Sequence, residues 1–555
     1  MHFSPLESAN PRGVADRIRR VTRSTSRAPV RRGRGRAVAL SLGCVIAISA
    51  CSVGPEYVPP PVTLNENWTD STDTRVTTEA EPDSAWWNAF HDSTLNRLIE
   101  IAYEQNLPLQ SAGLRIMESR ARLALAAGRQ YPQIQELFAS ATAVGLSEKS
   151  PNGVLLDNEF WDFQVGFDVL WEIDFWKKYG REVQAEAGAY FATAAAYDDA
   201  LVSLTAEVAR TYTVIRTFEV LLEQARQNAL LQEEGLRIAE ARFRNGATSE
   251  LDVAQAATLF ESTRATIPQL EAGLYQAQNA LSTLLGMAPG SLNEILLGSA
   301  GIPSAPSLVA VSVPAELLRR RPDIHAAEYE AYSQSARVGV ATADLYPRFL
   351  LAGTIGTQTS DGGGTQSGGA SFSNLFGAGS WFYSIGPRLV WPIFNYGRTR
   401  NNIRIEDARL QQLLVEYEDT VLRAAQEVED GLTGYLKAQE TEVFARNAAT
   451  QARRSAEIAM VQYREGAVDY QRVLDAERVL LQEENTHAQA VSAIASNLIS
   501  LYKALGGGWE IRDGRPYVSD QMREEMQDRT NWGDLFTDHP EPVNAGESTS
   551  NGASK

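Results

Sequence analysis

Hydrophobic residues follow two different periods along the chain, and their order predicts the elements. Residues 183–243 contain no proline, and their apolar positions recur at steps of three and four averaging 3.5, a spacing typical of coiled-coil-like helices. A second segment, from about 400 to 464, repeats the pattern. The seam residues are Leu201, Leu204, Val208, Tyr212, Ile215, Phe218 and Leu222 in the first, and Tyr417, Val421, Ala424, Val428, Leu432 and Tyr435 in the second. In each copy a glycine turn follows the long helix, and a further helix then spans 248–285 in the first copy and 468–505 in the second. We therefore predict long hairpins whose helices of about 40 to 60 residues extend roughly 60–90 Å.

Before each long helix the hydrophobic period falls to two, which predicts strands. One face of each alternating segment is apolar, with Phe163, Val165, Phe167, Val169 and Trp171 in the first, and Trp381, Tyr383, Ile385, Leu389 and Trp391 in the second. The opposite faces are polar or small. We predict strands at about 134–144, 162–171, 348–358 and 381–391. The pattern is typical of transmembrane β-barrel strands, and it also fits a half-buried hairpin of a soluble protein.

The chain contains an internal duplication. Residues 121–132 match 336–347 at an offset of 215, and residues 238–247 match 458–467 at an offset of 220. Each copy carries the same order of strands and helices, so the fold class is mainly α with a small β part, in tandem repeats. The predicted regions are an N-terminal segment (51–95), a first repeat (96–300), a linker (301–320), a second repeat (321–510) and an acidic tail (511–555) whose last 15 residues we expect to be disordered.

The amino terminus has the pattern of a secretory signal at residues 1–50. Ten arginines and an apolar run of 14 residues, 37–50, precede Cys51, and that run is too short to span a bilayer as a helix. The end of the run, Ile48-Ser49-Ala50-Cys51, resembles a lipoprotein processing site. Cys51 would then carry a thioether-linked diacylglycerol and an acylated amine, whereas the alternative is an ordinary signal peptide with an incidental cysteine. The residue after the cysteine is Ser52 and not an aspartate, which favours sorting of a lipoprotein to the outer membrane.

Composition excludes several functions. Without residues 1–50, the chain has 41 basic and 67 acidic residues, a formal charge of −26, which is unsuited to nucleic-acid binding. The only cysteines are Cys44 and Cys51, so no disulfide framework or cysteine metal cluster is available. We expect no enzyme, no metal site and no cofactor other than the covalent lipid on Cys51, because neither HExxH nor GxSxG is present. No apolar stretch approaches 18 residues, which argues against a helical membrane protein.

Four strands are too few to close a barrel. An open sheet edge in lipid would leave backbone groups unpaired, at a cost of several kcal/mol each. If these strands cross a membrane, the barrel must be shared by several chains related by rotational symmetry. The long helices would then continue the barrel as a tube across the periplasm.

Several motifs carry a family resemblance. They are Cys51–Pro60 after the processing site, Trp86-Trp87, the segment LRRRPDIHAAE at 318–328, and the segment YREGAVDYQRVLDAE at 463–477. With them the sequence resembles the TolC-like outer membrane factors, in particular the NodT- and OprM-like lipoprotein branch. The resemblance implies a homotrimer with a twelve-stranded barrel in outer membrane lipid and an α-helical barrel closed at its periplasmic tip. It also implies passive export of small molecules, together with a periplasmic adaptor and an inner-membrane resistance-nodulation-division transporter.

The resemblance assigns the helical turns to the periplasmic tip and to adaptor contact. The residues concerned are Asn245, Gly246, Ala247, Glu465, Gly466 and Ala467. Glycine permits the backbone reversal between antiparallel helices, so these turns also have a purely structural interpretation.

The resemblance further implies a gate. Asp475 aligns with an aspartate of the pore constriction, and Asp252 and Tyr463 align with a hydrogen-bonding pair that closes the pore. Alone, Asp475 would also fit a solvated residue paired with Arg472 or Arg478. The sequence departs from TolC at Arg472, where TolC has a second aspartate, and at Val468, where it has an arginine.

Two other functions fit parts of the pattern. One is the exit duct of a type I protein secretion system, although the processing site and the LLRRRPDI segment favour small-molecule efflux. The other is a periplasmic adaptor or coiled-coil scaffold lipoprotein. An adaptor should contain a single helical hairpin, whereas here the whole unit of strands and hairpin is duplicated.

Overall fold

The described part of the chain folds mainly into helices, with a four-stranded sheet and a short two-stranded pair, and the helices and the four-stranded sheet follow the hydrophobic periods. The structure is a computed structural model that describes residues 52–77, 84–147, 149, 159–298, 301–311, 314, 320–361 and 371–536. The predicted signal peptide, Cys51 and the last 15 residues lie outside the described residues. The helices are α1 (Ser93–Gln105), α2 (Leu107–Gly128), α3 (Lys178–Arg244), α4 (Glu250–Leu284), α5 (Pro322–Ala343), α6 (Arg398–Arg464), α7 (Tyr470–Ala504) and α8 (Asp520–Arg529). The main strands are β1 (Ile134–Gly145), β2 (Glu159–Ile173), β3 (Arg348–Ser360) and β4 (Trp381–Val390).

Short elements complete the described chain. The 3₁₀ turns are Trp86–Phe90, Phe372–Asn374, Trp509–Arg512 and Gly533–Phe536, and a short helix spans Asn293–Leu296. Val76–Thr77 pairs in parallel with Val309–Ala310. Part of the segment predicted as a linker is therefore tied to the N-terminal segment.

The helices α3 and α6 each contain 67 residues, which is more than the predicted 40 to 60. At 1.5 Å per residue each extends about 100 Å. The additional length arises at the amino-terminal ends, where each helix follows a residue with left-handed backbone, Lys177 (φ 60°) and Gly397 (φ 83°). Among the described residues, none of the helices combines the length and apolar composition needed to cross a membrane.

The predicted seams form the contact faces of the long helices. All of their residues are buried except Phe218, which is half-buried. The main core surrounds Trp86, Tyr212 and Tyr435, all fully buried. A separate small core surrounds Tyr463 and Tyr470 at the far end of the hairpins. The seams therefore pack the long helices on several neighbours, since Tyr417, Val421 and Ala424 contact Ile324 of α5, and the far end has its own packing.

The sheet is an antiparallel meander in the order β1–β2–β3–β4, so the β2–β3 pair joins the two repeats. One row of register partners, Leu137, Phe167, Ile355 and Tyr383, is apolar and is exposed by 81, 40, 52 and 79% respectively. The adjacent row on the other face is polar, with Glu136, Asp168, Thr354 and Ser384. Within the described residues, the outer edges of β1 and β4 have no partner strand.

The N-terminal segment lies on the helices near the strands. A Cβ atom added to Gly54 would lie 2.4 Å from the Cα atom of Gly339, so the segment crosses α5 at close range. The Glu56 carboxylate accepts a hydrogen bond from Arg181 at 2.8 Å, and Arg181 lies in the first turn of α3. These contacts place the start of the described chain beside the helix ends that adjoin β2 and β3.

The arginine of the RPDI segment fastens the two ends of the second repeat. Arg321 is buried, and its guanidinium donates to the Ala504 carbonyl at 2.8 Å and to Glu427 at 2.7 Å. It also pairs with Asp323 at 2.8 Å. Because Ala504 ends α7 and Arg321 precedes α5, the motif has a structural role here.

The beginning of the acidic tail is ordered. Arg512 pairs with Asp198 of α3 at 2.7 Å, and the Tyr517 carbonyl lies so close to α2 that a Cβ atom on Gly113 would approach it to 2.2 Å. The tail therefore packs across the helices near the main core before it reaches α8.

Candidate gate at the helical tip

The two hairpin turns have the same backbone geometry. The Ala247 amide donates to the Arg242 carbonyl, and the Ala467 amide donates to the Gln462 carbonyl, both at 2.8 Å. Gly246 (φ 72°) and Gly466 (φ 78°) adopt the left-handed conformation that such helix ends require. The glycines in the repeated sequence therefore set the positions where α3 and α6 end.

The residues of both turns are exposed to solvent. This holds for Asn245, Gly246, Ala247, Glu465, Gly466 and Ala467. They form the outermost part of each hairpin and leave side chains and backbone accessible to another protein.

Arg242 connects the two turns across the repeats. Its guanidinium donates to the Tyr463 carbonyl and lies 4.7 Å from the centroid of the Tyr463 ring. It also approaches the Ala247 carbonyl at 3.4 Å. The Tyr463 carbonyl already accepts the Gly466 amide at 3.0 Å, so both of its lone pairs are used. Sequence reasoning missed Arg242, because the residue binds main-chain oxygens across the repeats.

The structure brings Asp252 and Tyr463 into the same small cluster. The Asp252 carboxylate accepts a hydrogen bond from the Thr248 hydroxyl. Tyr463 is 1% exposed, and its hydroxyl makes no hydrogen bond of standard geometry to the described residues. Burial, followed by the nearby charge of Asp252, raises the pKa of the Tyr463 phenol. In this arrangement the carboxylate and the phenol interact electrostatically.

Behind Tyr463 lies a buried carboxyl group that the sequence did not reveal. Tyr463 packs edge-to-face on Tyr470, with ring centroids 5.2 Å apart. Glu477, two helical turns further on, is 7% exposed, and its Oε2 has no hydrogen-bond partner among the described residues. Burial raises the pKa of Glu477 to about 7. Its heptad spacing from Tyr470 could have indicated burial, but nothing in the sequence shows that the group is unpaired.

A second buried carboxylate, Glu484, lies one heptad further along α7 and contrasts with Glu477. Glu484 accepts from the Asn228 amide at 2.9 Å and from Arg453 at 2.5 Å. A second contact between α3 and α7 lies nearer the tip at Gly235, where an added Cβ atom would lie 3.5 Å from the Tyr470 hydroxyl. Gln232 and Glu477 lie between these two contacts, and Gln232 also has a buried oxygen without a partner in the described chain.

Asp475 lies on the exposed side of α7. It accepts a hydrogen bond from Gln471 at 2.9 Å, and Gln471 in turn accepts from Gln255 of α4 at 3.2 Å. In the described part of the chain, Asp475 therefore binds the Gln471 amide and not the guanidinium of Arg472 or Arg478. The carboxylate therefore faces solvent beside an equally exposed Arg472.

Val468 takes a hydrophobic position at the tip. It is partly buried against the cluster around Tyr463 and Tyr470. The described residues contain no group of histidine, cysteine or carboxylate side chains suited to a metal ion. The tip is thus held by packing, main-chain hydrogen bonds and cation–π contact.

Comparison with known proteins agrees with this architecture. The sequence profile of the family described as "Outer membrane efflux protein" matches residues 98–287 and 313–507. The two matched segments coincide with the two copies of the strand-and-hairpin unit.

Individual proteins resemble the chain over nearly their whole length. SilC of Salmonella typhimurium, a probable outer membrane lipoprotein, is 29% identical over 85% of this chain and 98% of its own length. CusC of Escherichia coli strain K12, a cation efflux system protein, is 30% identical over 84% of this chain and 98% of its own. The solved structure of the outer-membrane channel OprN superposes with a TM-score of 0.76 at 30% identity, covering 83% of this chain and all of OprN.

Proposed function

The chain belongs to the outer membrane efflux protein family, and from this premise we propose that it is the exit duct of a tripartite efflux pump. In this role it conducts small molecules passively from the periplasm to the exterior. The observation that carries the proposal is that each repeat combines strands with an exposed apolar face and a helix about 100 Å long. One chain thus supplies a part for the membrane and a part long enough to extend into the periplasm.

The sheet supports a barrel shared by three chains. The exposed apolar row from Leu137 to Tyr383 suits lipid, and the polar row behind it suits a water-filled lumen. Among the described residues no strand pairs with the outer edges of β1 and β4, which suits pairing with neighbouring copies. Three copies give twelve strands and leave no open edge in the hydrocarbon.

The helices continue this barrel as a tube that narrows at the tip. Asp475 faces solvent, and three copies of it around one axis attract cations. Arg472, exposed one turn earlier, adds a positive charge for every Asp475. We therefore propose a constriction of mixed charge with weak cation selectivity.

Cys51 anchors the chain to the outer membrane through covalent lipid. Gly54 lies against Gly339 of α5, and Glu56 binds Arg181 at the start of α3. Both contacts lie on the helix ends that adjoin the strands. Cys51 precedes Gly54 by three positions, an extended reach of about 10 Å, so this position suits a lipid anchor at the membrane surface.

The tip docks a periplasmic adaptor, which in turn joins an inner-membrane transporter of the resistance-nodulation-division class. The exposed turns around Gly246 and Gly466 support this assignment, because their backbone is fixed by hydrogen bonds while their surface remains accessible. Adaptor contact that separates the two turns would open the constriction.

A cellular experiment tests the function. Deletion of the protein should increase accumulation of a fluorescent pump substrate, and the wild-type chain should restore export. The Cys51→Ala variant should restore less export because its anchor is lost. Unchanged accumulation together with the loss of one secreted protein would favour the type I secretion alternative.

A further inference from the structure

We propose that Arg242 is a latch that holds the two hairpin turns together and keeps the tip closed. The inference rests on the proposed function as a gated duct. In this latch Arg242 of the first repeat positions Tyr463 of the second repeat.

The latch has three contacts that depend on one guanidinium. One face of the group covers the Tyr463 ring, and an Nη atom donates to the Tyr463 carbonyl. The other Nη atom reaches toward the Ala247 carbonyl. A Cβ atom added to Gly466 would lie 3.5 Å from both Nη atoms, so the guanidinium lies between the two turns.

These contacts join elements that must separate when the tip opens. Arg242 lies in the last turn of α3, whereas Tyr463 lies in the last turn of α6 and Gly466 in the turn that follows. The guanidinium interacts with the ring by cation–π attraction and with the partial negative charge of carbonyl oxygens at a helix end. Movement of one hairpin away from the other breaks both contacts with Tyr463, whereas the contact with the Ala247 carbonyl stays within the first hairpin.

The duplication supplies an internal comparison. Gln462 occupies the position equivalent to Arg242, at an offset of 220, and its carbonyl accepts the same capping hydrogen bond. The Gln462 side chain is exposed. Phe243, the equivalent of Tyr463, is 44% exposed. The two turns share their backbone, but the latch is present in only one orientation.

Arginine and lysine differ in the chemistry that the latch needs. Lysine keeps the charge and a donor but lacks the planar fork that covers the ring and reaches two carbonyls. Arg242→Lys should therefore retain part of the latch, and Arg242→Ala should remove it. Gln462→Ala shortens a side chain at the equivalent position and serves as the matched control.

The test measures single-channel currents of the full-length lipidated protein in planar bilayers, with the thermal midpoint of each variant recorded alongside. We expect Arg242→Ala to raise the open probability about tenfold and Arg242→Lys to raise it by less. Gln462→Ala should match wild type, and the thermal midpoints should remain close to the wild-type value. A residue with a merely structural role would not give an open probability that rises from wild type to Arg242→Lys to Arg242→Ala while the thermal midpoint stays constant.

The outcomes separate the latch from the duct. If the wild type conducts and Arg242→Ala behaves like Gln462→Ala, the latch is wrong and the duct stands. If Arg242→Ala fails to fold, an open probability of Arg242→Lys equal to wild type overturns the latch. If every variant is silent, including Tyr463→Ala, the duct itself is contradicted and the latch falls with it.

Discussion

Gly54 and Gly339 meet backbone to backbone, because a Cβ atom on Gly54 would lie 2.4 Å from the Cα atom of Gly339. Gly54 also has φ 93°, which strains any other residue. This contact fixes how the N-terminal segment lies against α5, at the helix end that adjoins β3.

We predict that Gly54→Ala releases the N-terminal segment from α5. Limited proteolysis should then cleave between residues 52 and 68 several times faster than in wild type. Gly290→Ala is the matched control, since Gly290 has φ 91° but a Cβ atom there would meet nothing within 4 Å. Equal cleavage rates in the two variants would show that the Gly54 contact does not hold the segment.

The buried carboxyl of Glu477 predicts a pH-dependent tip. Because burial raises its pKa from 4.5 to about 7, the folded state holds the proton more tightly than the unfolded state. The stabilisation is fully present below pH 4.5 and is lost as the pH rises through 7, at most about 3 kcal/mol. Thermal midpoints of Glu477→Gln should lose this pH dependence between pH 5 and 8.

Glu240→Gln provides the control for this experiment, because Glu240 is an exposed glutamate on α3, in the neighbouring hairpin. It should keep the wild-type pH dependence. A pH dependence in Glu477→Gln identical to that of wild type would assign the effect to another group.

The two faces of β4 should respond differently to charge. Tyr383 belongs to the exposed apolar row, whereas Ser384 lies on the polar face. Tyr383→Arg should cost roughly 2–4 kcal/mol of folding free energy in lipid if the residue lies near the bilayer midplane, and Ser384→Arg should cost little. Equilibrium unfolding in lipid vesicles measures both, and equal costs would argue against lipid contact at this row.

Arg321 should be important for stability. Removing its side chain leaves the Ala504 carbonyl and the Asp323 carboxylate without their donor, at a cost of about 1.5–3 kcal/mol. Urea unfolding should show this loss in Arg321→Ala. The control is Arg423→Ala, which breaks an exposed pair with Asp419 and should cost under about 1 kcal/mol.

Periodicity was sufficient to predict the elements whose faces differ in polarity. The seam through Tyr212 and the alternation through Phe167 predict a helix and a strand because burial on one face imposes those periods. The same reasoning placed the hairpin turns, since Gly246 and Gly466 are needed where the backbone reverses. The hydrophobic pattern places the starts of α3 and α6 a few residues too far along the chain. The left-handed conformations of Lys177 and Gly397, which precede these helices, do not alter the hydrophobic pattern.

The contacts inside the candidate gate could not be predicted in the same way. Arg242 and its repeat counterpart Gln462 occupy equivalent positions in the two turns. The hydrogen-bond acceptors of Arg242 are main-chain oxygens, which the sequence does not distinguish from other main-chain oxygens. Glu477 has the polarity of a surface residue, so its burial follows only from the packing of α3 on α7. The ordered start of the tail depends on Tyr517 crossing Gly113, a contact between residues about 400 positions apart.

In the proposed assembly, three copies of this chain form one continuous water-filled duct. The most direct test is to record currents across a planar bilayer after addition of the purified protein, with Cys51 lipidation verified by mass spectrometry and trimer mass verified in detergent. We predict discrete, uniform conductance steps from a trimer, with only weak preference for cations because Arg472 accompanies Asp475. A monomeric mass together with the absence of discrete steps, even in Asp475→Ala and Tyr463→Ala, would contradict the account.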